Sequence, residues 1–71
     1  MTGQRITKRL VLIAATSVSS YKSDEIVAAV QKMPANRIAE YAKDSYEDGL
    51  RGEGVAHDVA VRVALDAGIE W

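Results

Sequence analysis

The chain has 71 residues, 48% of them apolar, with no cysteine and a formal net charge of −1. That length holds one domain at most, and a domain of this size buries only about 60% of the surface its unfolded chain exposes. The missing cysteines exclude a disulfide framework and a thiolate metal site and fit a reducing cytoplasm, while the apolar run 10–15 is too short for a signal-peptide core or a membrane span.

Residues 1–5 read as a flexible arm carrying Arg5, and residues 6–71 as a single helical domain. A first helix is predicted over 6–17, where Ile6, Leu10, Ile13 and Ala14 recur at helical spacing and Val11 and Leu12 widen the apolar face. The β-branched residues Val11, Ile13 and Thr16 also fit a short strand over 10–16, although a lone strand would lack a partner. Ser17, Ser19, Ser20 and Tyr21 read as a connection. Ser23 is the expected N-cap of a second helix, with Asp24 and Glu25 on the first turn where the helix dipole favours negative charge.

The second helix is expected to end near Lys32, and Pro34 to open the third, because its missing N–H costs nothing in a first helical turn. In that third helix Ile38, Tyr41 and Ala42 should face inward, and Asn36, Arg37, Glu40 and Lys43 outward. Gly49, Gly52 and Gly54 should end it and form a link. The pairs Val59 with Val63 and Ala56 with Ala60 predict a fourth helix from Val55, closed by Gly68; strict alternation of Val59, Val61, Val63 and Leu65 also fits a strand. The expected fold is all-α, a small domain of three to four helices.

Charge is unevenly spread along the chain. Residues 1–43 carry seven cations against three carboxylates, a net +4, and residues 44–71 two cations against seven carboxylates, a net −5. The positive part suits a phosphate backbone; the negative part would repel it and suits a basic protein surface. Both signs together also describe an ordinary solvated surface.

Residues 26–41 fit two short helices joined by a tight turn, with the small Ala28 where the first helix would let the second approach, and Met33, Ile38 and Tyr41 at the following core positions. Over these residues the chain resembles the helix-turn-helix family, departing from its pattern at Lys32, where the family favours glycine. The resemblance implies a helix-turn-helix-like core and a third helix that reads a major groove, Asn36 and Arg37 being types that bond adenine and guanine. In that reading Asn36, Arg37, Glu40 and Lys32 contact nucleic acid, and Val61 with Leu65 form a homodimer. More loosely, the size, the lack of cysteine and the charge split are similar to small phage-encoded proteins that bind bacterial RNA polymerase as inhibitors or antiterminators. That likeness implies a cytoplasmic transcription regulator whose partner surface includes Arg37, Tyr41 and Lys43 and the basic residues Arg5, Lys8 and Arg9. A helical interaction module unrelated to transcription is the third reading.

No catalytic grouping and no cofactor is expected. His57 is the single histidine and has no triad partner or metal-binding motif beside it in sequence. The glycine-rich stretch 49–54 lacks the lysine of a P-loop and reads as a helix stop and hinge. Asp44, Glu47, Asp48 and Glu53 do not follow an EF-hand pattern and read as a solvated acidic face. Tyr21, Tyr41, Tyr46 and Trp71 are not interleaved with basic residues as single-strand stacking requires. Trp71 is expected either to pack back on the domain or to serve as an interface anchor.

Overall fold

The computed structural model describes residues 6–18 and 22–69, and among these the chain is all-α, with four helices and no strand. They are α1 (Lys8–Val18), α2 (Ser23–Lys32), α3 (Ala35–Glu47) and α4 (Glu53–Asp66). Both segments with strand-like alternation are helical, since an isolated strand would leave its backbone groups unpaired. Residues 1–5 with Arg5, the connection residues Ser19, Ser20 and Tyr21, and Trp71 lie outside the described residues.

α4 is the central helix, packed against the other three, while α1 also packs on α2. Its buried residues Val55, Ala56, Val59, Ala60, Val63 and Ala64 form a broad stripe at i, i+4 spacing. The alternating alanines keep that stripe low, which lets the flanking helices approach closely. Against it lie Val11 and Ala15 of α1, Ile26 and Val30 of α2, and Ile38 and Ala42 of α3, the last only 5% exposed.

The buried seam of α1 is Val11 with Ala15, not the expected stripe of Ile6, Leu10, Ile13 and Ala14. Ile13 is 60% exposed. α1 is apolar on nearly every side, so hydropathy alone does not choose its face; the choice falls to the smaller side chains that fit against the alanines of α4.

Turn chemistry explains the boundaries. Thr7 precedes α1 and its hydroxyl accepts the Leu10 N–H at 3.3 Å. Ser23 is already helical, so Lys22 and not Ser23 occupies the N-cap position; the Lys22–Glu25 ion pair, 3.1 Å across one turn, closes that end. Pro34 stands at the N-cap of α3 in extended conformation, and its carbonyl accepts the N–H groups of Arg37 and Ile38 at 3.0 and 3.2 Å. α3 and α4 end alike: Gly49 and Leu50 donate back to Tyr46 and Ser45, and Gly68 and Ile69 to Leu65 and Ala64. These are Schellman closures, which require the left-handed conformation that Gly49 and Gly68 adopt at φ +95° and +76°. Gly54 is not part of the link after α3 but lies in the first turn of α4.

α2 and α3 are joined by the tight turn the sequence predicts, at Met33 and Pro34, yet direct packing between the two helices is slight and they meet across α4. Ala28 is exposed and does not mediate a close α2–α3 approach.

Candidate partner-binding site

Because α2 and α3 diverge, a cleft opens between them and the end of α4. Its volume is about 630 Å³. Ala28, Ala29 and Met33 from the end of α2 and Val63, Ala67 and Ile69 from the end of α4 supply apolar walls, and Lys32, Arg37, Glu25 and Asp66 supply charge. Ala28 and Ala29 of α2, whose side chains stop at Cβ, leave room in its middle, with Glu25 and Lys32 on the same helix to either side.

Arg37, from the first turn of α3, is exposed and makes three contacts with two neighbours, Tyr41 and Glu40. Its Nη2 donates to the Tyr41 hydroxyl at 3.1 Å, its guanidinium carbon lies 5.6 Å from the centre of the Tyr41 ring, and its Nε is 3.9 Å from Glu40. Tyr41 in turn donates its hydroxyl hydrogen to Asp66 at the end of α4. That hydrogen bond to Asp66, then burial, holds the Tyr41 phenol above its ordinary range. The chain of contacts restrains an otherwise flexible arginine at the mouth of an apolar cleft.

A second polar network lies farther along the same α3–α4 seam. Ser45 is fully buried, and its hydroxyl is 2.6 Å from Asp58 Oδ2 and 3.1 Å from the Tyr41 carbonyl. Arg62 donates from Nε to the same Asp58 oxygen at 2.7 Å and from Nη2 to Asp48. Burial alone would push the Asp58 carboxyl up; the hydrogen bonds from Ser45 and Arg62, with the charge of Arg62, outweigh it and hold the carboxyl below the usual carboxylate range. Asp48 therefore belongs to an α3–α4 tie and not simply to a solvated acidic face.

The residues singled out in the sequence scatter over several surfaces. Arg37 and Lys32 line the cleft, whereas Tyr41 does not line it and holds Arg37 by its hydroxyl and ring. Lys43 is exposed on α3 but two residues from Tyr41, so the two side chains leave the helix on different sides. Asn36 is exposed beside Arg37, and Glu40 is engaged with Arg37. Lys8 lies on α1, where its Nζ donates to the Gln31 carbonyl at 2.5 Å near the end of α2, and Arg9 is exposed on α1. Val61 is half-buried and Leu65 is 63% exposed on α4. The sequence assigns Glu25 to the first turn of α2 and Met33 to the core, yet both line the cleft, and Asp66 carries no local signal, being 25 residues from Tyr41.

Among the described residues no group of three or more His, Asp or Glu side chains is arranged to hold a metal ion, and no helix is long and apolar enough to cross a membrane. Comparison with protein-family models, with known proteins and with solved structures finds no match to this chain.

Proposed function

We propose that this chain is a non-enzymatic transcription regulator that acts by binding bacterial RNA polymerase through the α2–α3–α4 cleft, inhibiting or redirecting the enzyme. The observation that carries the choice of a protein partner is the cleft itself, with apolar walls and with Lys32 and a preset Arg37 beside them. Aromatic and arginine side chains around an apolar centre are what protein interfaces use as anchors. The link to transcription rests on the sequence resemblance over residues 26–41 and on the charge split of the chain.

The runner-up is a DNA-reading dimer, favoured by the exposure of Asn36 and Arg37 on the first turn of α3. One feature weighs against it: α3 carries two cations against three carboxylates, so a groove lined with phosphates repels it on balance.

The test is retention of proteins from a nuclease-treated bacterial lysate by the tagged full chain, beside a Lys32→Glu/Arg37→Glu variant. Stoichiometric polymerase subunits on the wild type and none on the variant are the expected result. No polymerase on either, with binding to random duplex DNA that falls steeply as salt rises, overturns the proposal in favour of the DNA reader.

A further inference from the structure

The apolar stripe of α1 that the core does not use borders a second groove, of about 230 Å³, between α1 and the start of α4. Leu10 and Ala14 form one wall, Ala56 and His57 the other, and Glu53 stands at its edge. Ile13 belongs to the same patch and projects from it, 60% exposed. One surface thus holds both an apolar knob and an apolar hole. That is the property a two-fold, isologous contact requires, since each copy must supply what the other lacks.

The charges fit the same occupant. Ile13 is the middle residue of α1, and a two-fold axis running perpendicular to the helix beside it sets two α1 helices antiparallel. Arg9, one turn before Ile13 on the same side, then travels with the knob towards the other copy's groove. At that groove stands Glu53. Both Arg9 and Glu53 are exposed, and neither has an ion-pair partner among the described residues. α1 also carries Lys8 and Arg9 in its first turn, where the helix dipole disfavours cations, and no basic residue in its last turn. An antiparallel second α1 brings each Arg9 near the electronegative end of the other helix.

We infer that the chain forms a symmetric homodimer through α1, in which Ile13 of each copy enters the Leu10–Ala14–Ala56–His57 groove of the other and Arg9 pairs with the opposite Glu53. The contact is independent of the α2–α3–α4 cleft and leaves that cleft open on both copies. One helix face per copy is smaller than the roughly 800 Å² per partner of a standard stable interface. The dimer is therefore weak and reversible.

Sedimentation equilibrium of the full chain from about 10 μM to 1 mM, in low salt, reads it directly. The expected result is a mass rising from monomer towards dimer with concentration, an Ile13→Glu variant that stays monomeric throughout, and an Arg9→Glu variant whose dissociation constant rises about tenfold. Combining Arg9→Glu with Glu53→Arg should restore dimerisation, which a merely unfavourable surface charge would not do. All four proteins should show the same helical circular dichroism, because every changed side chain is exposed. A wild type that remains monomeric at about 1 mM overturns the proposal, as does a dimer indifferent to Ile13→Glu or a charge swap that fails to recover it.

Discussion

Ser45 and Asp58 offer a sharp test of how α3 is held, because one partner is fully buried and the other titrates. Truncating Ser45 to Ala removes a 2.6 Å hydrogen bond to a carboxylate, a kind of bond worth about 1.5–3 kcal/mol net. The Asp58 side chain retains Arg62 and is 28% exposed, so water can replace part of the lost contact and the cost should fall near the low end, about 1.5 kcal/mol. For a chain this small that corresponds to a Tm lower by roughly 6–12 °C. Asp58→Ala should cost as much or more, since it also removes an Arg62 contact. The double variant should be less destabilised than the sum, by a coupling of about 1 kcal/mol.

The coupling should depend on pH in one direction. The folded carboxyl of Asp58 lies below its unfolded value, so its stabilisation is complete above the unfolded value, near 3.9, and is lost as pH falls through the folded one. Urea titrations followed by circular dichroism at pH 7 and at about pH 2 measure both quantities. A coupling below about 0.3 kcal/mol at pH 7, or one equally large in acid, would refute the assignment of this pair as the polar lock between α3 and α4.

Three further outcomes follow from the same geometry. Gly52 caps α4 at φ +63° and ψ −139°, a region that side chains strain to reach, so Gly52→Ala should destabilise by about 1–3 kcal/mol; Gly54, inside the first turn with nothing within 4 Å of an added Cβ, should tolerate Ala and gain up to about 1 kcal/mol, both read by thermal melts. Tyr41 should ionise above the ordinary tyrosine range in an absorbance titration; because its folded value is raised, its contribution to stability is complete below the unfolded value near 10 and is lost as pH rises through the folded one, a loss absent in Tyr41→Phe. Ile26→Ala should cost about 2–5 kcal/mol, whereas Ile13→Ala should stay within about 0.5 kcal/mol at concentrations where the chain is monomeric, a contrast that reports which isoleucine is core.

Helix existence and most inward faces were legible in the residues themselves. The i, i+4 alternation of Val and Ala in α4, Ile38 with Ala42 in α3, and the Pro34 and Gly68 stops all act locally, through backbone preferences that a neighbouring residue or two express. α1 was legible as an apolar helix but not in its rotation, since Ile13 and Val11 carry the same hydropathy and only the shape of α4 separates them. Ser45 was illegible for a different reason: its acceptor lies 13 residues away on another helix, and nothing in the string marks a buried serine until that acceptor is placed. The cleft likewise depends on where α2 and α3 diverge, a tertiary property that the tight turn between them does not determine.

The way α3 is attached bears on how the cleft can work. α1 and α2 pack against each other as well as against α4, but α3 packs mainly on α4, with Ile38 and Ala42 as its apolar anchors and Ser45–Asp58, Asp48–Arg62 and Tyr41–Asp66 as its polar ties. Hydrogen-bonded ties hold direction more firmly than apolar contacts of equal strength, because they weaken steeply with angle, whereas apolar attraction is non-directional. α3 can therefore be set in one orientation without a large core beneath it. Under the proposed function that arrangement suits a docking element: Arg37 projects from a helix whose position is fixed by bonds along one edge, and the apolar surface that a larger core would have consumed stays available in the cleft beside it.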